Sequence, residues 1–175
     1  GDAVEAALKI SRQFWVESGR PEKRKIVALT PSYHGNTLLA LSASARPGYQ
    51  ALFRDWMVEI HTAPAPYPYR CSCRGELAEC PACSGDAVEE AILRDGPESV
   101  AAFIAEPVGG SSTGASVPRP AYWKRIREIC DRHEVHFVAD EVLVGAGRTG
   151  RWAALEPHGG GPDVQIFGKG VGGGY

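Results

Sequence analysis

Apolar positions along the chain follow two rhythms. Val4, Ala7, Leu8, Phe14 and Trp15 recur at helical spacing and predict a helix over 3–17. Asp2, with Glu5 three residues on, reads as a capping box that starts it, and Ser18-Gly19 as its stop. Further helices are expected over 37–44, over 87–94 behind Asp86, and over 120–133. The last carries Trp123, Ile126, Ile129 and Cys130 on one face. Short apolar runs at 25–29, 58–62, 100–105, 136–139 and 164–167 read as strands. Strands alternating with helices predict the α/β class: a largely parallel mixed sheet flanked by helices. Residues 63–83 form a Pro- and Cys-rich loop with little regular structure expected.

The first helix starts with no lead-in, and the last strand is followed only by a glycine run. The fold is therefore expected to be incomplete at both ends, an internal portion of a longer protein. Composition narrows the partners. With 19 basic and 21 acidic residues the formal charge is -2, which offers no basic field for nucleic acid or a membrane surface. No apolar run approaches the roughly 18–20 residues of a membrane span, and no leader is read at the start. A cytoplasmic protein with small-molecule partners is the expectation. Glycine is the unusual figure: 21 in all, more than half of them after Val144.

Three apolar strands end in groups that can do chemistry. The run 101–105 leads to Glu106, 137–139 to Asp140 and Glu141, and 164–167 to Gly168-Lys169. In parallel sheets ligands bind outside the carboxyl ends of the strands, so neighbouring strands would bring these acids and this lysine to one crevice. A set of structural ion pairs at the strand ends is the plainer alternative. Lys169 has glycine on both sides, which leaves its amine open to a ligand. In a partly dry pocket such an amine can lose its proton and form a Schiff base with a carbonyl. Asp140 would need a cation nearby, and a protonated ring nitrogen is one. Gly145–Gly150 and Gly168–Gly173 each fit G-x-G-x-x-G, which keeps a nucleotide-binding domain open. The first has no clear acidic residue about 20 positions on to close a βαβ unit, the second carries Lys169 inside it, and Lys169 precedes Gly170 where a P-loop needs Ser or Thr.

Four of the five cysteines cluster as Cys71-x-Cys73 and Cys80-x-x-Cys83. Four thiolates binding zinc, reduced thiols in a surface loop, and disulfides all stay open. Cys130, on a helix, reads as core.

Taken together, Tyr33-His34-Gly35-Asn36-Thr37, Glu106-Pro107-Val108, Asp140-Glu141-Val142, Gly147-Arg148-Thr149-Gly150 and Gly168-Lys169 fall in the order and spacing of the class III aminotransferases. The chain resembles that family over nearly its whole length. The resemblance implies a fold type I enzyme dependent on pyridoxal phosphate. Residues 1–175 would be part of its cofactor-binding large domain, without the N-terminal segment and C-terminal small domain. Lys169 matches the lysine that forms a Schiff base with the cofactor and then serves as general acid and base. Asp140 matches the acid paired with the pyridine nitrogen. Val142 and Tyr33 match the residues on the two faces of the ring, and Glu106 an acid close by. His34 either orients Asp140 or packs, and Arg148 matches a structural or interface arginine. The implied reaction moves an amino group from an amine or amino acid to a keto acid or aldehyde, in a homodimer. Aminomutases and decarboxylating enzymes share the lysine and aspartate, and a truncated, non-catalytic binding module is a further alternative. Two departures bear on specificity. Leu143 stands where some members carry glutamine. The loop Gly109-Gly110-Ser111-Ser112-Thr113 lacks the acid of ornithine- and 4-aminobutyrate-type members.

Overall fold

Every residue of strand β3 (Val100–Ala105) is buried. A strand covered on both faces needs no polar alternation, so it reads as a continuous apolar run. A computed structural model describes residues 1–71, 80–159 and 161–174 of the chain. In it β3 is the centre of a five-stranded sheet of order β2-β1-β3-β4-β5, with β1 Lys25–Thr30, β2 His61–Pro64, β4 His136–Asp140 and β5 Val164–Ile166. All four pairings are parallel.

Side chains of the central strands β1, β3 and β4 feed two cores, while β2 and β5 each serve one. Helices α1 (Asp2–Glu17) and α2 (Leu38–Ala43) cover one face, where Val4, Ala7, Leu8, Ala40 and Ala43 pack on Ala28, Ala102, Ile104, Val138 and Ile166. On the other face, α5 (Asp86–Asp95) and α6 (Pro120–Arg132) bring Val88, Ile92, Trp123, Ile126 and Ile129 onto Val27, Phe103 and Phe137. Two short helices complete the set: α3 (Pro47–Gln50) and α4 (Pro81–Ser84).

Trp123 anchors the second core. It lies 5.7 Å from the Phe137 ring at an interplanar angle of 10° and meets Tyr122 edge-on. Trp123→Ala is expected to cost about 3–5 kcal/mol, because a packed core refills such a cavity poorly. The measurement is the midpoint of urea unfolding at unchanged m-value. A loss below about 1 kcal/mol would contradict this placement.

Local departures from the expected pattern have physical reasons. Helix α1 includes Asp2, with Gly1 as its N-cap and no side-chain capping bond. Glu5 does not close a capping box; its Oε1 accepts the Leu39 N–H at 3.0 Å and ties α1 to α2. The edge strand β2 starts three residues later than expected, at His61. Its register on β1 runs from Val27↔His61 to Thr30↔Pro64, while the Val58 N–H is taken by Ser42 Oγ. Residues 63 and 64 thus belong to β2, and the far end of the expected loop folds into α4. Lys23, which looks like a surface residue in the sequence, is fully buried. Its ammonium donates to the carbonyls of Pro97, Val100 and His133 and sits over the Trp15 ring. Burial pushes its pKa down to about 8.

Candidate functional site

The sheet reverses its winding between β1 and β3, and a crevice opens there beyond the carboxyl ends of the strands. It is a cleft of about 480 Å³. Tyr33 and His34 reach it from the loop after β1, Glu106 from the end of β3, Asp140 and Val142 from the end of β4, and Lys169 from the turn after β5. All six residues expected at a site line this one cleft. Gly1, the N-cap of α1, lines it too, so the first backbone N–H groups of a 16-residue helix face the same space.

Asp140 lies at the buried end of the site, 3% exposed. Its Oδ1 accepts the Val142 N–H at 3.1 Å, and its Oδ2 accepts from His34 Nδ1 at 2.8 Å. The His34 ring is held in turn: its backbone N–H donates to Ser44 Oγ, and that hydroxyl donates to the Ala40 carbonyl. Nε2 of His34 is buried without a hydrogen-bond partner among the described residues. Such an orphan is uncommon and marks where a polar ligand atom or water belongs. Glu106 works as a clamp on the cleft wall. Its Oε2 accepts the Tyr33 N–H at 3.1 Å and its Oε1 the Gly110 N–H at 3.0 Å, joining the loops after β1 and β3. Burial pushes its carboxyl above the ordinary range, against the pull of His34 and the two N–H donors.

Lys169 opens the turn Lys169–Gly172 at φ 53°, an αL value that costs a non-glycine residue roughly 1–2 kcal/mol. Its side chain is exposed, borders the main cleft, and also borders an adjoining cleft of about 540 Å³ that includes Arg148. At Gly35, where φ is +137°, a Cβ would lie 2.8 Å from Gly1 Cα, so that position must be glycine for the loop to pass the helix start. The first glycine fingerprint, Gly145–Gly150, opens no helix among the described residues. The turn at 145–150 folds back through Ala146 N–H to Trp152 O and Gly147 N–H to Arg151 O, which removes the nucleotide-loop reading.

The acid beside Asp140 has a different task. Glu141 is 1% exposed, and its carboxylate accepts the backbone N–H groups of Ala154 and Leu155 at 3.0 and 3.4 Å. It braces the segment that follows the glycine turn. Burial pushes its carboxyl up, with the two N–H donors opposing. Folded Glu141 therefore holds its proton more tightly than the unfolded chain does. The stability this gives is fully present below the ordinary value of 4.5 and is lost as pH rises through the raised one. Relative to Glu141→Gln, the wild type is expected to lose unfolding free energy as pH rises above about 4.5. Urea unfolding of both proteins across that range measures it, and parallel pH profiles would overturn the assignment.

Besides Gly1, four residues missing from the expected site line the cleft as well: Gly35, Asn36, Gly110 and Ser111. Their signal was positional, since each lies within a few residues of a strand's carboxyl end. Leu143, flagged only as a departure, lines it beside Val142. Of the cluster cysteines, Cys71, Cys80 and Cys83 gather elsewhere, on the loop before α4 and on α4 itself, while Cys73 lies outside the described residues. No helix among the described residues is long and apolar enough to cross a membrane.

Comparison with known proteins gives a consistent result. The chain is 41% identical over 179 residues to an uncharacterized aminotransferase of Schizosaccharomyces pombe, covering 99% of this chain and 38% of the relative. It is 37% identical to an adenosylmethionine-8-amino-7-oxononanoate aminotransferase of Geobacter sulfurreducens, with the same coverage of both chains. Among solved structures, an amine transaminase from an uncultivated Pseudomonas species, in its PLP-bound form, superposes with a TM-score of 0.89 at 36% identity. That match covers 99% of this chain and 39% of the other. The chain thus spans about two-fifths of the length of these relatives. The family model for aminotransferase class-III matches residues 1–175. The cleft at the strand ends and a family match that runs from the first residue to the last have one reading: the chain belongs to the class III aminotransferase family.

Proposed function

We propose that this chain forms the cofactor pocket of a pyridoxal-phosphate-dependent aminotransferase. The reaction moves an amino group from an amine or amino acid to a keto acid or aldehyde. The observation that carries the reading is the joint lining of one cleft by the Lys169 amine, the buried Asp140 carboxylate, Tyr33 and Val142.

The donor set suits that cofactor group by group. An amine suits an aldehyde, a buried carboxylate suits a ring nitrogen that must stay protonated, and a helix N-terminus suits a phosphate. His34 Nε2, buried and unpartnered, leaves one polar position to satisfy beside Asp140. When bound, pyridoxal phosphate supplies the carbonyl that captures amines and the ring that withdraws electrons. The chain does the rest. Lys169 would hold the cofactor through its side-chain nitrogen and would serve as the base and acid that moves the proton. Asp140 would supply the negative charge for the ring nitrogen, and the His34 hydrogen bond fixes its carboxylate in one rotamer. Tyr33 and Val142 would hold the two faces of the ring. Glu106 keeps Tyr33 in place through its backbone N–H rather than by touching the reacting atoms. The substrates are an amine donor and a carbonyl acceptor. The same reading extends to a homodimer, for which the exposed Leu52 and Trp56, between α3 and β2, offer apolar surface.

Reduction with borohydride in the presence of pyridoxal phosphate, followed by peptide mapping, tests this. A pyridoxyl group on Lys169 is the expected result. A protein saturated with cofactor that carries no adduct at Lys169 would remove the proposal.

A further inference from the structure

Away from the cleft, three sulfurs converge. Cys71 follows the turn Pro68–Arg70, Cys80 is the N-cap of α4, and Cys83 lies within that helix. Cys71 Sγ is 2.9 Å from Cys80 Sγ and 3.2 Å from Cys83 Sγ, and all three lie within 4.8 Å of one another. The C-x-x-C half achieves this through one turn of α4, which places Cys80 and Cys83 on the same side.

Two ordinary explanations fit poorly. A disulfide joins two sulfurs at about 2.05 Å, whereas here three approach one point at longer range. Cysteine also packs as a small apolar side chain, and Cys130 shows what that looks like in this protein: it is fully buried inside the core that includes Trp123 and Ile129. Cys80 and Cys83 are nearly as buried but belong to neither hydrophobic core. Metal–sulfur bonds of about 2.3 Å in a tetrahedron put thiolates roughly 3.8 Å apart, and all three sulfurs already lie within 4.8 Å of one another, close enough to share one ion.

We propose that Cys71, Cys80 and Cys83 bind a structural zinc ion. Each thiol gives its proton to solvent and a sulfur lone pair to the ion, and nothing is oxidised or reduced. The ion ties the segment after β2 to the α4–α5 unit. That segment matters to the cleft indirectly. The Pro66 carbonyl accepts from Ser116 Oγ at 3.0 Å, and Ala65 and Pro66 line a small cavity together with Glu106. The site therefore serves to hold a loop in register, and it stands independently of the cofactor reading.

The test is metal content and thiol reactivity of the purified protein, loaded with zinc and desalted under reducing conditions. About one zinc per chain is expected, released in step as an organomercurial titrates the cluster thiols. Cys130→Ser keeps the metal; Cys80→Ser and Cys83→Ser fall below about a tenth of an equivalent. Should those variants fail to fold, cobalt loaded into the wild type decides, through the near-ultraviolet thiolate-to-cobalt absorption. Zinc below about a tenth of an equivalent in the loaded wild type would overturn the proposal. So would cobalt uptake without that absorption, or a mapped disulfide among Cys71, Cys80 and Cys83.

Discussion

Replacing Lys169 with alanine is expected to lower amino-group transfer by about 10⁴-fold, while leaving the fold intact. The two halves of that statement rest on different observations. Lys169 is exposed, makes no ion pair among the described residues, and stands on a turn flanked by glycines. Its truncation should shift stability by no more than about 0.5 kcal/mol, as for other surface substitutions. Removing an αL strain centre is not at issue, since alanine at φ 53° is strained as well. Activity is another matter, because the same nitrogen anchors the cofactor and carries the proton. Lys169→Arg separates charge from reactivity. A guanidinium keeps the positive charge but cannot be deprotonated in a protein, so that variant should be as inactive as the alanine one. The measurement is turnover of a panel of amines with pyruvate as acceptor, alongside urea unfolding of each variant. An arginine variant with more than about a tenth of wild-type rate would show that Lys169 acts only as a charge.

That Glu106, Asp140 and Lys169 line one cleft was legible from the strand ends. In a parallel sheet the last apolar residue of a strand marks the edge of the core, so the next polar residue must face the crevice or be paired. Glu106, Asp140 and Lys169 each follow such an edge, and β3, β4 and β5 are neighbours in the sheet. Partnership among side chains from distant segments stays open in the sequence. His34 and Asp140 are 106 residues apart, and the sequence offers orientation of Asp140 by His34 only as an alternative to packing; nothing local in either decides that Nδ1 meets Oδ2. Glu141 stands next to Asp140 and looks like a second site acid, yet its side chain turns away to brace Ala154 and Leu155. Neighbours along a strand point to opposite faces, and only the sheet decides which face is the cleft. The capping box failed for a related reason. Glu5 has a better donor in the Leu39 N–H than in its own helix, a tertiary contact that overrides a local rule. The late glycines divide the same way: Gly145, where a Cβ would meet the Phe167 ring at 2.6 Å, is demanded by packing from 22 positions away rather than by any ligand.

Asp140→Asn carries the second large effect: a fall of about 10²–10³-fold in transfer rate, with stability reduced by no more than about 1–3 kcal/mol. Asparagine has the same shape. Its carbonyl oxygen can keep the Val142 N–H, which leaves its NH₂ facing His34 Nδ1. The imidazole accommodates that by moving its proton to Nε2, a change of tautomer that a buried ring can make. The local structure therefore survives, and what is lost is the negative charge. In the proposed reaction that charge keeps the ring nitrogen protonated, so its removal affects the rate far more than the affinity for substrate. Asp140→Glu is the complement: it restores the charge but extends it into the space beside Val142, and should recover only part of the rate. His34→Gln tests the positioning role. It keeps a donor toward Asp140 without a second ionisable nitrogen, and a rate loss of about tenfold or less is expected, because the carboxylate itself remains. The signature that separates charge from mere architecture is the pH dependence of the bound cofactor's absorption. It should move in Asp140→Asn and stay nearly fixed in His34→Gln. An Asp140→Asn protein with at least half the wild-type rate and an unmoved spectrum would show that Asp140 serves only to anchor Val142 and His34.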